Sequence, residues 1–110
     1  MMTVKELVHQ FNLKIVAGGE DMEKEVQGCY ICDLLSWVMT HAQKGNIWIT
    51  VQTNVNIIAV AVLTEVACII IPEDIEIDAQ TIAKANQQNI PVLSSSLNSF
   101  QLASILKDFI

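Results

Sequence analysis

Hydrophobic and polar positions along the chain predict helices and strands in turn. Apolar residues recur at helical spacing near both ends of the chain. A capping-box pair precedes each of these runs: Thr3 with Glu6, and Asn98 with Gln101. We therefore expect an amphipathic helix near each terminus.

Five short apolar runs, rich in β-branched residues, predict five strands. They cover Leu13–Ala17, Val26–Cys32, Asn46–Val51, Ala67–Ile71 and Val92–Ser94. From the third run onward, strands and helical segments alternate, and the strands are nearly continuous apolar runs, which favours a parallel sheet covered on both faces. We expect a single α/β domain over residues 1–110, with a mostly parallel sheet of about five strands and helices on both faces.

Three further helices are expected between these strands. Asp33 is suited to cap the first, and Gly45 to end it in a left-handed conformation. The segment Val55–Leu63 is apolar on all sides, so periodicity alone does not separate strand from helix; a buried helix is favoured because Ala67–Ile71 supplies the next strand. Asp78 is expected to cap the last of the three.

Composition narrows the classes of partner. The chain has 52% hydrophobic and 16% charged residues, with 12 acidic residues against six lysines, no arginine and a net charge of −6. Nucleic acids and anionic lipid surfaces are therefore disfavoured, because both are bound through cationic side chains. No segment has the length of a membrane span, and three cysteines without a secretory signal suggest free thiols in the cytoplasm.

Cys29 and Cys32 have the CxxC spacing of redox and zinc sites. They lie in a predicted strand, however, where residues three apart point to opposite faces. No sequence motif for a nucleotide, a nucleophilic serine or a metal accompanies them. We therefore expect no catalytic residue, no metal and no cofactor.

Polar residues at the carboxyl ends of the strands are the candidate ligand-binding residues. Open parallel sheets bind ligands at this edge, where helix N-termini converge. The candidates are Asp33, Gln52, Thr53, Asn54, Asn56, Ser94, Ser95, Ser96 and Asn98. Their hydroxyl and amide groups suit a small polar or phosphorylated ligand; the alternative is that they only form helix caps and turns.

Several stretches resemble the DRTGG domain family across nearly the whole chain. They are Gly45–Thr50, Val60–Ala61, Ile69–Ile71, Asn89–Ser94 and Asn98–Phe100. The chain departs from the family at its signature residues. Gln52–Asn54 replace an acidic-basic pair, and Pro72–Asp74 replace a Thr-Gly-Gly string.

The resemblance implies a non-catalytic module that serves in regulation, ligand sensing or dimerisation. The family occurs within HPr kinase-like proteins, phosphotransacetylases and pyrophosphatases, and also as short chains of about this size. A homodimer and a small-molecule ligand or cytoplasmic protein partner are therefore expected. A small phosphoryl-transfer enzyme and a purely structural dimerisation unit remain the alternatives.

Overall fold

The computed structural model describes all 110 residues. Its five strands are β1 (Lys14–Ala17), β2 (Cys29–Ile31), β3 (Ile47–Ile49), β4 (Cys68–Ile71) and β5 (Val92–Ser94). They form one sheet in the order β1-β5-β4-β3-β2, in which β2 to β5 run parallel and β1 pairs antiparallel with β5. The predicted mostly parallel sheet of five strands is confirmed.

Five helices cover the two faces of this sheet. They are α1 (Val4–Gln10), α2 (Leu35–His41), α3 (Asn56–Thr64), α4 (Ala79–Gln88) and α5 (Ser99–Leu106). The three helices that connect successive parallel strands, α2 to α4, pack on one face, and α1 and α5 pack on the other. No helix combines the length and the apolar character that a membrane crossing requires.

The side chains of β3 show how the strands separate two hydrophobic cores. Trp48 packs with α2, α3 and α4, whereas Ile47 and Ile49 pack with α1 and α5. All three are fully buried, and the Trp48 indole N–H donates to the carbonyl oxygen of Cys32 at 2.9 Å. Trp48 is therefore a core residue, since a sheet covered on both faces leaves no exposed side for it.

The predicted start and end of α2 were wrong. Asp33 does not cap this helix: the N-cap position is Leu34, and no side chain caps it. The helix ends at His41, and Gly45, with φ of 84°, belongs to the turn that leads into β3. The predicted strand from Val26 is also shorter, because the Val26 and Gln27 amides donate to residues outside the sheet.

The helical prediction for the apolar segment after β3 is confirmed, but its complete burial is not. Ile57, Ile58 and Ala61 are fully buried in α3. The outward face of the same helix leaves Val62 and Leu63 47% and 62% exposed. The middle helix of this layer therefore presents apolar side chains to solvent.

Candidate functional site

Asp33, which follows β2, is the centre of a hydrogen-bond network at the carboxyl edge of the sheet. Its Oδ1 atom accepts from the Thr50 hydroxyl at 2.9 Å and from the Val51 amide at 3.0 Å. The Gln52 side-chain amide donates to the Asp33 carbonyl oxygen at 3.1 Å. The ends of β2 and β3 are thus joined by a carboxylate, and this is why Asp33 is not available as a helix cap.

The network continues from Gln52 to the start of α3. Asn54 Nδ2 donates to Gln52 Oε1 at 3.1 Å, and Asn54 Oδ1 accepts from the Asn56 amide at 2.9 Å. Asn54 therefore turns the chain into the helix. The exposed side chain of Asn56 takes part in no hydrogen bond, which leaves its amide group available to a ligand.

Thr53 links this network to the start of α4. Its carbonyl oxygen accepts from the buried Thr81 hydroxyl at 2.6 Å. The Thr53 hydroxyl donates to Asp78 Oδ1 at 3.4 Å. The structure therefore brings five of the predicted residues together at one place: Asp33, Gln52, Thr53, Asn54 and Asn56.

The other predicted residues form a separate group that starts at the last residue of β5: Ser94, Ser95, Ser96 and Asn98. The strand β4 lies between β5 and β3, and no hydrogen bond joins the two groups. Ser95 Oγ accepts from the Leu97 amide at 3.1 Å, and Asn98 caps α5 through a reciprocal pair with Gln101. Ser95 and Asn98 thus form a turn and a cap, while Ser94 pairs across the sheet with Lys14.

The helices that begin at the carboxyl edge, α2 to α5, differ among themselves in their N-termini. Asn54 Oδ1 accepts from the Asn56 amide at the start of α3, whereas no side chain caps α2 or α4. By contrast, α1 and α5 each have a complete capping box. The starts of α3 and α4 both lie beside Thr53 and Asn54, so the positive ends of two helix dipoles are close to this segment.

Two threonines that the sequence reasoning missed hold this edge together. Thr50 and Thr81 are 1% and 0% exposed, and both donate into the network. Each is a polar residue at a position that the hydrophobic pattern assigns to the interior. A buried hydroxyl requires a hydrogen-bond partner, and this is the signal that could have found them.

The cysteines lie apart from this edge. Cys29 and Cys32 border opposite faces of the sheet, as their spacing in a strand predicts. Burial raises the pKa of the Cys29 thiol to about 11, and burial together with the nearby Cys29 raises the pKa of Cys68 to about 12. Both thiols stay protonated at neutral pH, so neither is an activated nucleophile. No three His, Cys, Asp or Glu side chains are grouped as metal ligands.

Comparison with known proteins agrees with this fold. The sequence profile of the DRTGG domain matches residues 6–109. The chain belongs to the DRTGG domain family. No curated protein matches its sequence.

One solved structure similar to this DRTGG domain comes from Clostridium perfringens. It contains the CBS and DRTGG domains of the regulatory region of a pyrophosphatase, in complex with its activator diadenosine tetraphosphate. The two are 14% identical with a TM-score of 0.74, and the match covers 94% of this chain and 45% of the other. The DRTGG domain described here thus spans less than half of that regulatory chain, and the similarity supports the fold.

Proposed function

We propose that this DRTGG domain is a non-catalytic, ligand-responsive regulatory module. Its ligand is a small polar or phosphorylated molecule that binds at the carboxyl edge of the sheet, between the starts of α3 and α4. The observation that carries the proposal is the start of α4, where no side chain caps the helix and the amides of Ala79 and Gln80 donate to no acceptor within the chain, together with the free side chain of Asn56 nearby. Uncapped helix N-termini present amide donors to anions.

The Asp33 network supports the same proposal by making the edge rigid. The side chains of Thr50, Gln52 and Asn54 form hydrogen bonds with the Asp33 carboxylate, with the backbone and with each other. The side chain of Asn56 remains free beside them, at the first turn of α3. A ligand held there contacts the end of β3 and the starts of α3 and α4 together. Binding would in this way alter the surface that a partner protein meets.

The pyrophosphatase neighbour supports the functional class. Its regulatory region includes a DRTGG domain and was solved with a nucleotide activator. Diadenosine tetraphosphate, ATP, acetyl phosphate and inorganic phosphate are therefore suitable probes. A compound that binds only the folded state raises the melting temperature, so a thermal-shift screen with these four tests the proposal.

A substitution at Asn56 separates binding from stability. Asn56→Asp places a negative charge in the first turn of α3, which stabilises the helix by about 0.3–1 kcal/mol through its dipole. The same charge repels an anionic ligand. We expect the variant to melt at the same or a higher temperature and to lose the stabilisation by the probe. Ser104→Asp, on the exposed side of α5, is the control and keeps the response to the probe.

The outward face of α3 favours a second candidate function, homodimerisation. This face comprises Ala59, Val62 and Leu63, which are exposed, and continues to Val55, the residue before the helix. Exposed apolar surface on a helix is typical of an interface between subunits. A dimer formed through this face is compatible with ligand binding at the carboxyl edge, where α3 begins.

The oligomeric state tests this second function directly. Leu63→Lys removes an exposed apolar group without opening the core, since Leu63 is 62% exposed. If α3 forms the interface, sedimentation equilibrium shows a dimer for the wild type and a folded monomer for the variant. A monomeric wild type at all concentrations rules the interface out.

A further inference from the structure

A cavity of about 660 Å³ lies at the edge of the sheet opposite the Asp33 network. Its walls are the segments that precede the parallel strands, including Gln27, Gly45, Ala67 and Ile90, and the ends of α3 and α4. This volume is within the range of sites for small molecules. It is fixed by the backbone, because the Gly45 amide donates to the Glu65 carbonyl oxygen at 3.0 Å and the Gln27 amide to Gly45 at 2.7 Å.

The lining of the cavity combines an apolar wall with charges of both signs. The apolar wall consists of Ala61, Val62, Val66, Ala67 and Ile90. Two lysines, Lys24 and Lys44, line the cavity together with Glu25 and Glu65. Of these four side chains, only that of Lys24 forms a hydrogen bond: its Nζ atom donates to the Asn89 carbonyl oxygen at a long distance of 3.5 Å. The four charged groups are therefore available to a ligand.

The carboxyl ends of two helices add partial negative charge to the lining of the cavity. The carboxyl ends of α3 and α4 both lie at the cavity, and a helix C-terminus favours a cation. Since the two lysines balance the two glutamates, a polyanion finds no net positive charge here. A ligand with one group of each sign finds a partner for both.

The backbone conformation of Glu65 also indicates a binding role for its side chain. It ends α3 in the left-handed conformation, with φ of 58° and ψ of 36°, where glycine is the residue without steric cost. The chain therefore places a carboxylate at a position where a side chain is strained. A carboxylate at the rim of the cavity, beside the end of the helix, is suited to bind an ammonium group.

We propose that this cavity binds a zwitterionic small molecule with an apolar body, such as an amino acid with a large side chain or a dipeptide. Its carboxylate binds Lys24 and Lys44, its ammonium group binds Glu65 and the end of α3, and its apolar body packs on the Ala61–Ala67 wall. The site is separate from the carboxyl edge and does not depend on the function proposed there.

The test is a titration of the full chain, observed through its amide resonances in NMR, with phenylalanine and with the dipeptide phenylalanyl-leucine. Binding at the cavity shifts the amides of Gly45, Val62 and Ala67. N-acetylphenylalanine and phenylalanine amide each lack one of the two charges, and each is expected to bind about tenfold more weakly or worse, as loss of a charge-assisted hydrogen bond requires. Equal binding of these two singly charged compounds overturns the proposal, as does the absence of shifts with both zwitterions.

Two variants separate a binding role from a structural one. Glu65→Gly removes the carboxylate and relieves the left-handed strain, so it is expected to raise the melting temperature while weakening binding about tenfold. Lys44→Met is expected to weaken binding to a similar extent. Lys14→Met makes the same charge change at the other edge of the sheet and leaves binding unchanged. Binding that survives both cavity variants contradicts the assignment.

Discussion

Asp33→Ala is the substitution that most directly probes the carboxyl edge. It removes the acceptor for the Thr50 hydroxyl and the Val51 amide. A hydrogen bond to a charged group contributes about 1.5–3 kcal/mol, and the lower value applies here because Asp33 is exposed to solvent. The buried Thr50 hydroxyl then still accepts from the Gln52 amide but has no acceptor for its own proton, whereas the exposed Val51 amide bonds to water.

The expected loss in the free energy of unfolding is therefore about 2 kcal/mol, which lowers the melting temperature by roughly 10 °C for a domain of this size. Asp33→Asn keeps the Oδ1 acceptor and is expected to cost about half as much. Urea denaturation, followed by the fluorescence of the buried Trp48, measures both losses.

Thr50→Val, combined with Asp33→Ala in a double-mutant cycle, isolates the contact between the two side chains. We expect a coupling of about 1 kcal/mol, since the residues share a direct hydrogen bond. Asp21→Ala, in an exposed loop, is the control and is expected to change stability by less than about 0.5 kcal/mol. A coupling near zero, or equal losses for Asp33→Ala and the control, would refute the network.

Two further predictions concern the scaffold. Gly18→Ala is expected to destabilise the fold by more than about 3 kcal/mol, because Gly18 has φ of 69° and an added Cβ overlaps the backbone of Ile90, just before β5. The neighbouring Gly19→Ala, whose added Cβ meets only the Ile15 side chain at 3.3 Å, is expected to cost less than about 1 kcal/mol, and similar denaturation midpoints for the two variants contradict the close approach at Gly18. The raised pKa values of Cys29 and Cys68 mean that the unfolded chain releases its thiol protons above pH 9 while the folded chain retains them. The free energy of unfolding is therefore expected to fall from about pH 9 to 11 by roughly 1 kcal/mol per pH unit for each thiol. Cys68→Ala, although less stable at neutral pH, is expected to show about half this slope. An unchanged slope contradicts the raised pKa of the Cys68 thiol.

The features that the sequence predicts best are those that depend on neighbours in the chain. The capping boxes of α1 and α5 each join residues three positions apart, and both form as predicted. The order of strands and helices, and the parallel sheet, follow from apolar runs whose length and spacing are visible in the chain. Even the opposite orientation of Trp48 to Ile47 and Ile49 follows from the alternation of side chains along a strand.

The features that it predicts poorly depend on distant contacts. Asp33 has the residue type and the position of a helix cap, but its carboxylate bonds to Thr50, which is 17 positions away. A helix that is apolar on all sides gives no indication of which face is buried, so the exposure of Leu63 could not be predicted. The cavity beside Lys44 was not predicted either, because it is formed by the ends of elements that meet only in the folded sheet.

The candidate site likewise has one part that the sequence predicts and one part that it does not. The residues after β3 do come together with Asp33, since parallel strands end at a common edge. The group at Ser94–Asn98 lies two strands away, because β5 is separated from β3 by β4 in the sheet order. The chain order of the strands does not give their spatial order, and the two groups could be separated only once the topology was known.

The most direct test of ligand responsiveness is an NMR titration of the chain with diadenosine tetraphosphate, ATP and acetyl phosphate. A ligand at the carboxyl edge is predicted to shift the amides of Asn56, Ala79 and Gln80, at the starts of α3 and α4. The amides of Gly45 and Ala67, at the opposite edge, are predicted to stay in place. Shifts confined to that opposite edge, or no shifts with any of the three compounds, would contradict the proposed site.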